Sequence, residues 1–455
     1  MIRPLRRFTL LLIALTLVPA VACADDLNSP LSKLELQDGD SIVFLGDSIT
    51  HQCLYTQYVE DYFYTRFPDM RLKLHNAGVG GARAWDALAR FDDDVASYEP
   101  KYVTILLGMN DGAYRPFDQE TFDTYRQDMT ELLTQIDSIG AEPVLMTPTM
   151  FDARAARARN PNRDPESTLL YNSVLAYYGA WLREVAVDQG YGFVDMWGPL
   201  NNLTLEVRKA EPSFTMIADA VHPDPPGQVV MAVAIIDDLG LPRQVSNIRV
   251  VLGRKEPQVR ATGGELTDLE ATEDGLSFTW QADSLPWVLP EPAERGVELT
   301  RLGHRFSREA LEIHGLKPGR YTVAIDDVVV GTYPHTALER HIELQANETT
   351  PQFQQALEVA QLNAERNAGP IVALRGEWLK FQSYARARRQ ADANPDDKQA
   401  AEQLAEREQQ IEGMEERVAE QVAAAREIED RIFEINQPPA RRYEIRRAER
   451  EESAQ

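Results

Sequence analysis

Along residues 39–241 the apolar positions keep two rhythms in alternation. Unbroken apolar runs such as Ser41-Ile42-Val43-Phe44-Leu45, bounded by Gly39 and Gly46, read as strands buried on both faces. Leu72-Lys73-Leu74-His75 and the runs 102–107, 143–147 and 191–195 read as further strands. Between them apolar residues return at helical spacing over 118–139, stopped by Gly140, and 169–189, closed by Gly190. A last helix over 226–239 offers Val229, Val230, Val233, Ile235 and Ile236 for burial. This βα alternation predicts an α/β fold, a parallel sheet with helices on both faces. Right-handed crossovers would bring the carboxyl ends of all its strands to one edge.

Past Pro242 the rhythm changes. Leu276-Ser277-Phe278-Thr279-Trp280 and Tyr321-Thr322-Val323-Ala324-Ile325 alternate with period two, which predicts a small antiparallel β-sandwich. Trp280 and Trp287 are expected in its core. From Thr350 the pattern is helical again, restarting at Gly369-Pro370 and running through one long charged helix over 396–436. Leu404, Ile411, Val418, Ala425 and Ile432 recur every seventh residue, but Arg407 and Gln421 interrupt the second row of the seam. An intrachain helical hairpin with 371–388 is therefore expected over a two-chain coiled coil. The expected organisation is a leader at 1–24, a catalytic domain at 25–243 and a sandwich at 244–349. A helical region at 350–437 and a charged tail at 438–455 follow.

The ends and the charge narrow the class. Arg3, Arg6 and Arg7 precede the apolar run 8–21, too short for a comfortable membrane span. This reads as a secretory leader. Val21-Ala22-Cys23 also resembles a lipoprotein box, which would make Cys23 a lipidation site. Export to the periplasm or the exterior is the expectation. Cys53, the other cysteine, is expected to be a buried packing residue. With 47 basic against 72 acidic residues, nucleic acid and anionic membranes are disfavoured as partners.

Candidate chemistry gathers at the strand ends. Gly46-Asp47-Ser48-Ile49-Thr50 follows the first strand, Asn76-Ala77-Gly78-Val79-Gly80-Gly81 the second, and Gly108-Met109-Asn110-Asp111 the third. Asp219-Ala220-Val221-His222-Pro223 precedes the last helix. A serine hydroxyl needs a base before it attacks. His222 can serve as that base, and Asp219, three residues earlier, can orient it. No Gly-x-Ser-x-Gly elbow, His-Glu-x-x-His pair or phosphate-loop lysine motif occurs in the chain. No metal site and no cofactor are expected.

In this order the four segments resemble the SGNH (GDSL) hydrolases, a family of secreted esterases and lipases, across residues 38–242. The resemblance implies Ser48 as nucleophile, His222 as base and Asp219 as its partner. It implies an oxyanion hole of the Ser48 N–H, the Gly81 N–H and the Asn110 amide, with Gly78 and Gly80 as other carriers of the second donor. The implied reaction is ester hydrolysis through an acyl-enzyme, and an O-acetylated polysaccharide is the expected substrate. The long loop 148–167 carries Arg154, Arg157, Arg159 and Arg163, read either as solvated surface or as a substrate-binding lid. A lipase or phospholipase is the rival enzyme. An envelope-associated binding or scaffold protein with a vestigial hydrolase domain is the rival of another class. The helical region shows no catalytic constellation, so it is expected to dock onto the enzyme or onto a second copy as a homo-oligomer. A chain ending near Thr349 is accordingly expected to keep its ester chemistry.

Overall fold

The computed structural model describes residues 34–253 and 256–448; the expected leader, with Cys23, lies outside them. Strands β1 (Ser41–Gly46), β2 (Lys73–Gly78), β3 (Tyr102–Leu106), β4 (Glu142–Met146) and β5 (Gly192–Val194) form one parallel sheet. Their order is β2-β1-β3-β4-β5. β1 is buried along its whole length, as its unbroken apolar run requires. On one face the helix Leu54–Arg66 packs with Pro225–Asp238. On the other, Gln119–Ser138 meets Pro165–Gln189, where Tyr125 stacks on Tyr178 with ring centroids 4.8 Å apart.

The register explains the site. Gly46 pairs with Gly78 on one side and with Leu106 on the other. Three strands thus end level, and the segments that begin at Asp47, Val79 and Leu107 leave from one edge.

The 148–167 segment holds more structure than a loop. Asp152 caps the helix Ala153–Arg159 by accepting from the N–H groups of Arg154 and Ala155. Asp164 caps the next helix, which begins at Pro165. Pro in the first turn costs no hydrogen bond there.

The second half also departs from expectation. β6 (Gln244–Val251), β7 (Gln258–Thr262), β10 (Arg308–His314) and β13 (Ile342–Glu343) make one sheet, ordered β13-β10-β6-β7. β8 (Gly264–Thr272), β9 (Gly275–Ala282), β11 (Arg320–Ile325), β12 (Val328–Pro334) and β14 (Arg441–Arg447) make the other, ordered β12-β11-β14-β9-β8. Ile248, Val250, Phe278, Trp280, Leu311, Val323 and Ile445 fill the space between them. β6 and β10 run parallel, so the sandwich is mixed rather than antiparallel.

Residues 441–447 correct the expected tail. They lie in the middle of a sheet because Tyr443 and Ile445 point inward between charged neighbours. The expected unit 244–349 is also interrupted. Trp287, Leu289, Leu302 and Phe306 join the core of the hydrolase domain instead of the sandwich. Trp287 donates its indole N–H to the Tyr58 carbonyl at 3.0 Å and meets the Tyr62 ring edge-on. The helix Pro225–Asp238 is apolar around its circumference and needs this second cover.

The C-terminal helices fold back as a hairpin against the hydrolase domain. Pro351–Arg366 and Val372–Ala393 are joined by a π-helical segment, Asn367–Ile371, that accommodates Pro370 without ending the helix. The returning helix is two helices, Lys398–Ile411 and Met414–Ile435, divided at Gly413 with φ +67°. The contact with the hydrolase domain is polar and buried. Asn363 donates to Asp61 at 2.8 Å, Asn367 to Glu60 at 2.7 Å, and Arg375 makes a two-pronged pair with Asp94.

Candidate active site

Ser48 opens a short helical turn, Ser48–His51, directly after β1. Asp47 caps it by accepting from the Ile49 N–H at 2.9 Å. Asn76 braces the turn from β2, donating to the Thr50 carbonyl at 2.8 Å. Gly78 lies so close beneath that a Cβ would fall 2.4 Å from the His51 nitrogen. Only glycine lets β2 pass under the nucleophile turn.

His222 arrives from a loop before the last helix. Its Nε2 lies 2.7 Å from Ser48 Oγ, and its Nδ1 lies 2.6 Å from Asp219 Oδ2. With Nδ1–H donated to the carboxylate, Nε2 is left as acceptor for the serine proton. Asp219 also accepts from the backbone N–H groups of Val221 and His222 through Oδ1. Burial raises its pKa, but these N–H groups and the imidazole outweigh burial and hold it below the ordinary carboxylate value. Gln228, buried within the last helix, donates to Gln52 Oε1 and to the Pro223 carbonyl. It thereby ties the nucleophile turn to the histidine loop.

Three candidate donors stand on the segments that leave that edge of the sheet. Ser48 has the N-terminal position of its turn, where a backbone N–H has no intrahelical partner. Gly81 adopts φ +69°, a conformation that favours glycine, and among the described residues its N–H has no hydrogen-bond partner. The Asn110 amide donates to the Ala82 carbonyl at 3.1 Å and lies 3.4 Å from Asp47 Oδ2. Tyr114 donates to its Oδ1, which fixes which end of the amide faces the site. The longer of the two amide contacts is the one that a developing oxyanion could replace. Asp111 holds the loops together by accepting from the N–H groups of Ala84 and Gly108, both at 2.9 Å.

A cleft of about 890 Å³ opens beside Gly81 and Asn110, walled by Trp85, Tyr114, Arg386 and Arg389. Arg389 lies over the Trp85 ring, 4.2 Å from its centroid. None of Arg154, Arg157, Arg159 and Arg163 lines it. The first three are exposed, while Arg163 is half-buried over the Phe151 ring. The base of their segment reaches the site indirectly, because the Asp152 N–H donates to the Ala220 carbonyl. Cys53 is buried, which pushes its thiol up to about 12 and leaves no nucleophilic thiolate beside Ser48. Among the described residues no group of three or more His, Cys, Asp or Glu side chains is placed to hold a metal ion.

Sequence reasoning missed Gln228 and the C-terminal cleft residues Arg386 and Arg389. Gln228 had a signal: it is the polar residue inside an otherwise apolar helix. Arg386 and Arg389 had none, because a charged helix more often presents such residues to water.

Residues 44–230 match the family model described as GDSL-like Lipase/Acylhydrolase family. An acetylxylan esterase of Geobacillus stearothermophilus is 25% identical over 230 residues, 46% of this chain and 97% of that protein. The uncharacterized lipoprotein YqeF of Bacillus subtilis (strain 168) is 33% identical over 78 residues, 17% of this chain and 32% of that protein. Among solved structures, a gut microbial diltiazem-metabolizing enzyme superposes with a TM-score of 0.74 at 26% identity, covering 91% of this chain and 99% of its own. That coverage runs through the sandwich and the helical hairpin, so the whole architecture recurs in another protein.

Proposed function

We propose, from the premise that this chain carries an ester-hydrolysing domain of the GDSL-like lipase/acylhydrolase family, that it is an exported serine esterase removing acetyl groups from carbohydrate. In this reading Ser48 Oγ attacks the ester carbonyl while His222 Nε2 takes its proton. Asp219 holds the imidazole in the required tautomer and stabilises the imidazolium that forms. The Ser48 and Gly81 N–H groups and the Asn110 amide receive the oxyanion. His222 then protonates the departing alcohol, and water, deprotonated by the same imidazole, releases the acid from Ser48.

The observation that carries the mechanism is the unbroken chain from Ser48 Oγ through His222 to Asp219, with contacts of 2.7 and 2.6 Å. The acetylated-carbohydrate substrate is supported by the acetylxylan esterase, whose length is almost wholly matched. The cleft beside Gly81 and Asn110 is lined by the charged Arg83, Asp86, Arg386 and Arg389 as well as by Trp85 and Tyr114, which supports a polar sugar over a long acyl chain. Export is supported by the basic, apolar start of the sequence and by the lipoprotein relative. No helix among the described residues is long and apolar enough to cross a membrane.

Acetate release tests the substrate class. The purified protein should release acetate from acetylated xylan and from p-nitrophenyl acetate, and Ser48→Ala should release none. Esters of longer acids should turn over more slowly. Diltiazem belongs in the same panel because of the structural relative. A preference for long acyl chains over acetate would replace the carbohydrate reading with that of a lipase.

A further inference from the structure

The helix Val372–Ala393 lies some three hundred residues from the glycine loop, yet it grips that loop at two carbonyls. Gln382 Nε2 donates to the Gly80 carbonyl at 2.9 Å. Arg386 Nη2 donates to the Gly81 carbonyl at 2.7 Å. Arg386 also pairs with the buried Asp86 through Nε and Nη2, at 2.7 and 2.8 Å. Asp86 in turn accepts from the Arg83 N–H. Arg375, Gln382 and Arg386 are seven and four residues apart, so they share one face of the helix. Arg375, fully buried, reaches the Asn76 carbonyl next to the loop and pairs with Asp94.

We propose that this helix is a positioning element of the oxyanion hole, with Gln382 and Arg386 aiming the Gly81 N–H at the ester carbonyl. The argument is the geometry of one peptide unit. The Gly80 carbonyl and the Gly81 N–H belong to the same planar trans peptide and point in opposite directions. Drawing the carbonyl towards Gln382 sends the N–H away from the helix. Arg386 fixes the next carbonyl, so both peptides around Gly81 are held. Gly81 itself, at φ +69°, resists other orientations less than a residue with a side chain would. Gln382 is buried, so its amide is held by its surroundings rather than free to turn into solvent. A donor acts on the transition state only when it is already aimed. The helical hairpin therefore belongs to the catalytic apparatus without touching the reacting atoms.

The inference rests on the serine-esterase reading, so the experiment includes Ser48→Ala in the full-length chain. Gln382→Met removes the donor at nearly constant size, and Arg386→Ala removes the other. Each is assayed on p-nitrophenyl acetate for kcat and KM separately, beside thermal unfolding. The expected result is a fall in kcat of about tenfold to a hundredfold, short of the roughly 10²–10³ for outright loss of a donor. KM should change by less than about threefold. Millimolar guanidinium should restore part of the kcat of Arg386→Ala, and Arg386→Lys should retain part of it. Unchanged kcat in both variants would overturn the inference while Ser48→Ala, if inactive, left the esterase reading intact. A loss that follows the fall in Tm, spreads equally to KM and resists guanidinium would assign the helix a structural role alone. Activity surviving Ser48→Ala would instead remove the reading beneath it.

Discussion

Asp47 and Asp111 neighbour the proposed oxyanion donors, and burial pushes each carboxyl up to about 7 against the backbone N–H groups that favour its charge. The folded protein then binds protons that the unfolded chain, with carboxyls near 3.8, has released. This contribution to stability is fully present below the unfolded value and is lost as pH rises through about 7. Asp111→Asn cannot titrate. From about pH 5 to about pH 8 the parent should therefore lose urea resistance relative to the variant. Parallel curves would mean that the two N–H partners keep Asp111 ionised throughout. Asn110→Ala should lower kcat by roughly 10²–10³ with little change in KM, because its amide acts chiefly on the transition state. A change confined to KM would make Asn110 a substrate-positioning residue. At this scale Ser48, Gly81, Asn110, Asp219 and His222 could be singled out from the sequence, since the first three sit in short segments after strands and the last two in a short segment before the last helix. The pairings that brace them could not. Asn76 and Asp111 lie in the quoted motifs and Gln228 is a polar residue inside an apolar helix, but the partners that each holds across the fold, such as Thr50, Ala84 and Gln52, are not written in the sequence.

At the scale of elements, the rhythm of apolar residues sufficed wherever burial was complete. β1, β3 and β4 lie between covering helices, and their unbroken runs follow from that cover. It failed where an element is short and charged. Arg441-Arg442-Tyr443-Glu444-Ile445 alternates with period two, but the density of charge makes it read as a tail. Its inward residues settle its place: Ile445 is fully buried, and Tyr443 stacks on Phe278 with centroids 5.0 Å apart. Ile445→Ala should cost about 2–5 kcal/mol, the range for removing a large aliphatic side chain from a core. Chemical denaturation reads this directly. A cost near zero would return residues 441–447 to the role of a mobile tail. Gly413 is the second such case. The seven-residue repeat continues across it, so periodicity alone reports one helix where a left-handed residue makes two.

For the whole molecule, the expected esterase and appended domains are interlocked rather than laid end to end. β14 returns from beyond the helical hairpin to fill the middle of the sandwich, and the hairpin holds Glu60, Asp61, Asp86 and Asp94 of the hydrolase domain. Removing one partner from such buried charged networks leaves the other desolvated and unpaired, at about 3–5 kcal/mol for a buried pair. A chain ending at Thr349 should consequently be insoluble or inactive on p-nitrophenyl acetate. Full activity in that truncation would separate the two halves again. The wider organisation was legible as three successive patterns of periodicity. The interlocking was not, because it depends on contacts between residues hundreds of positions apart.

The central claim is that one serine, Ser48, is activated by His222. The most direct measurement is to incubate the full-length protein with a fluorophosphonate and map the adduct by mass spectrometry. A single phosphonylated residue, Ser48, with labelling slowed severely in His222→Gln, is the predicted result. An adduct on another residue, or labelling of Ser48 at an undiminished rate without His222, would contradict it.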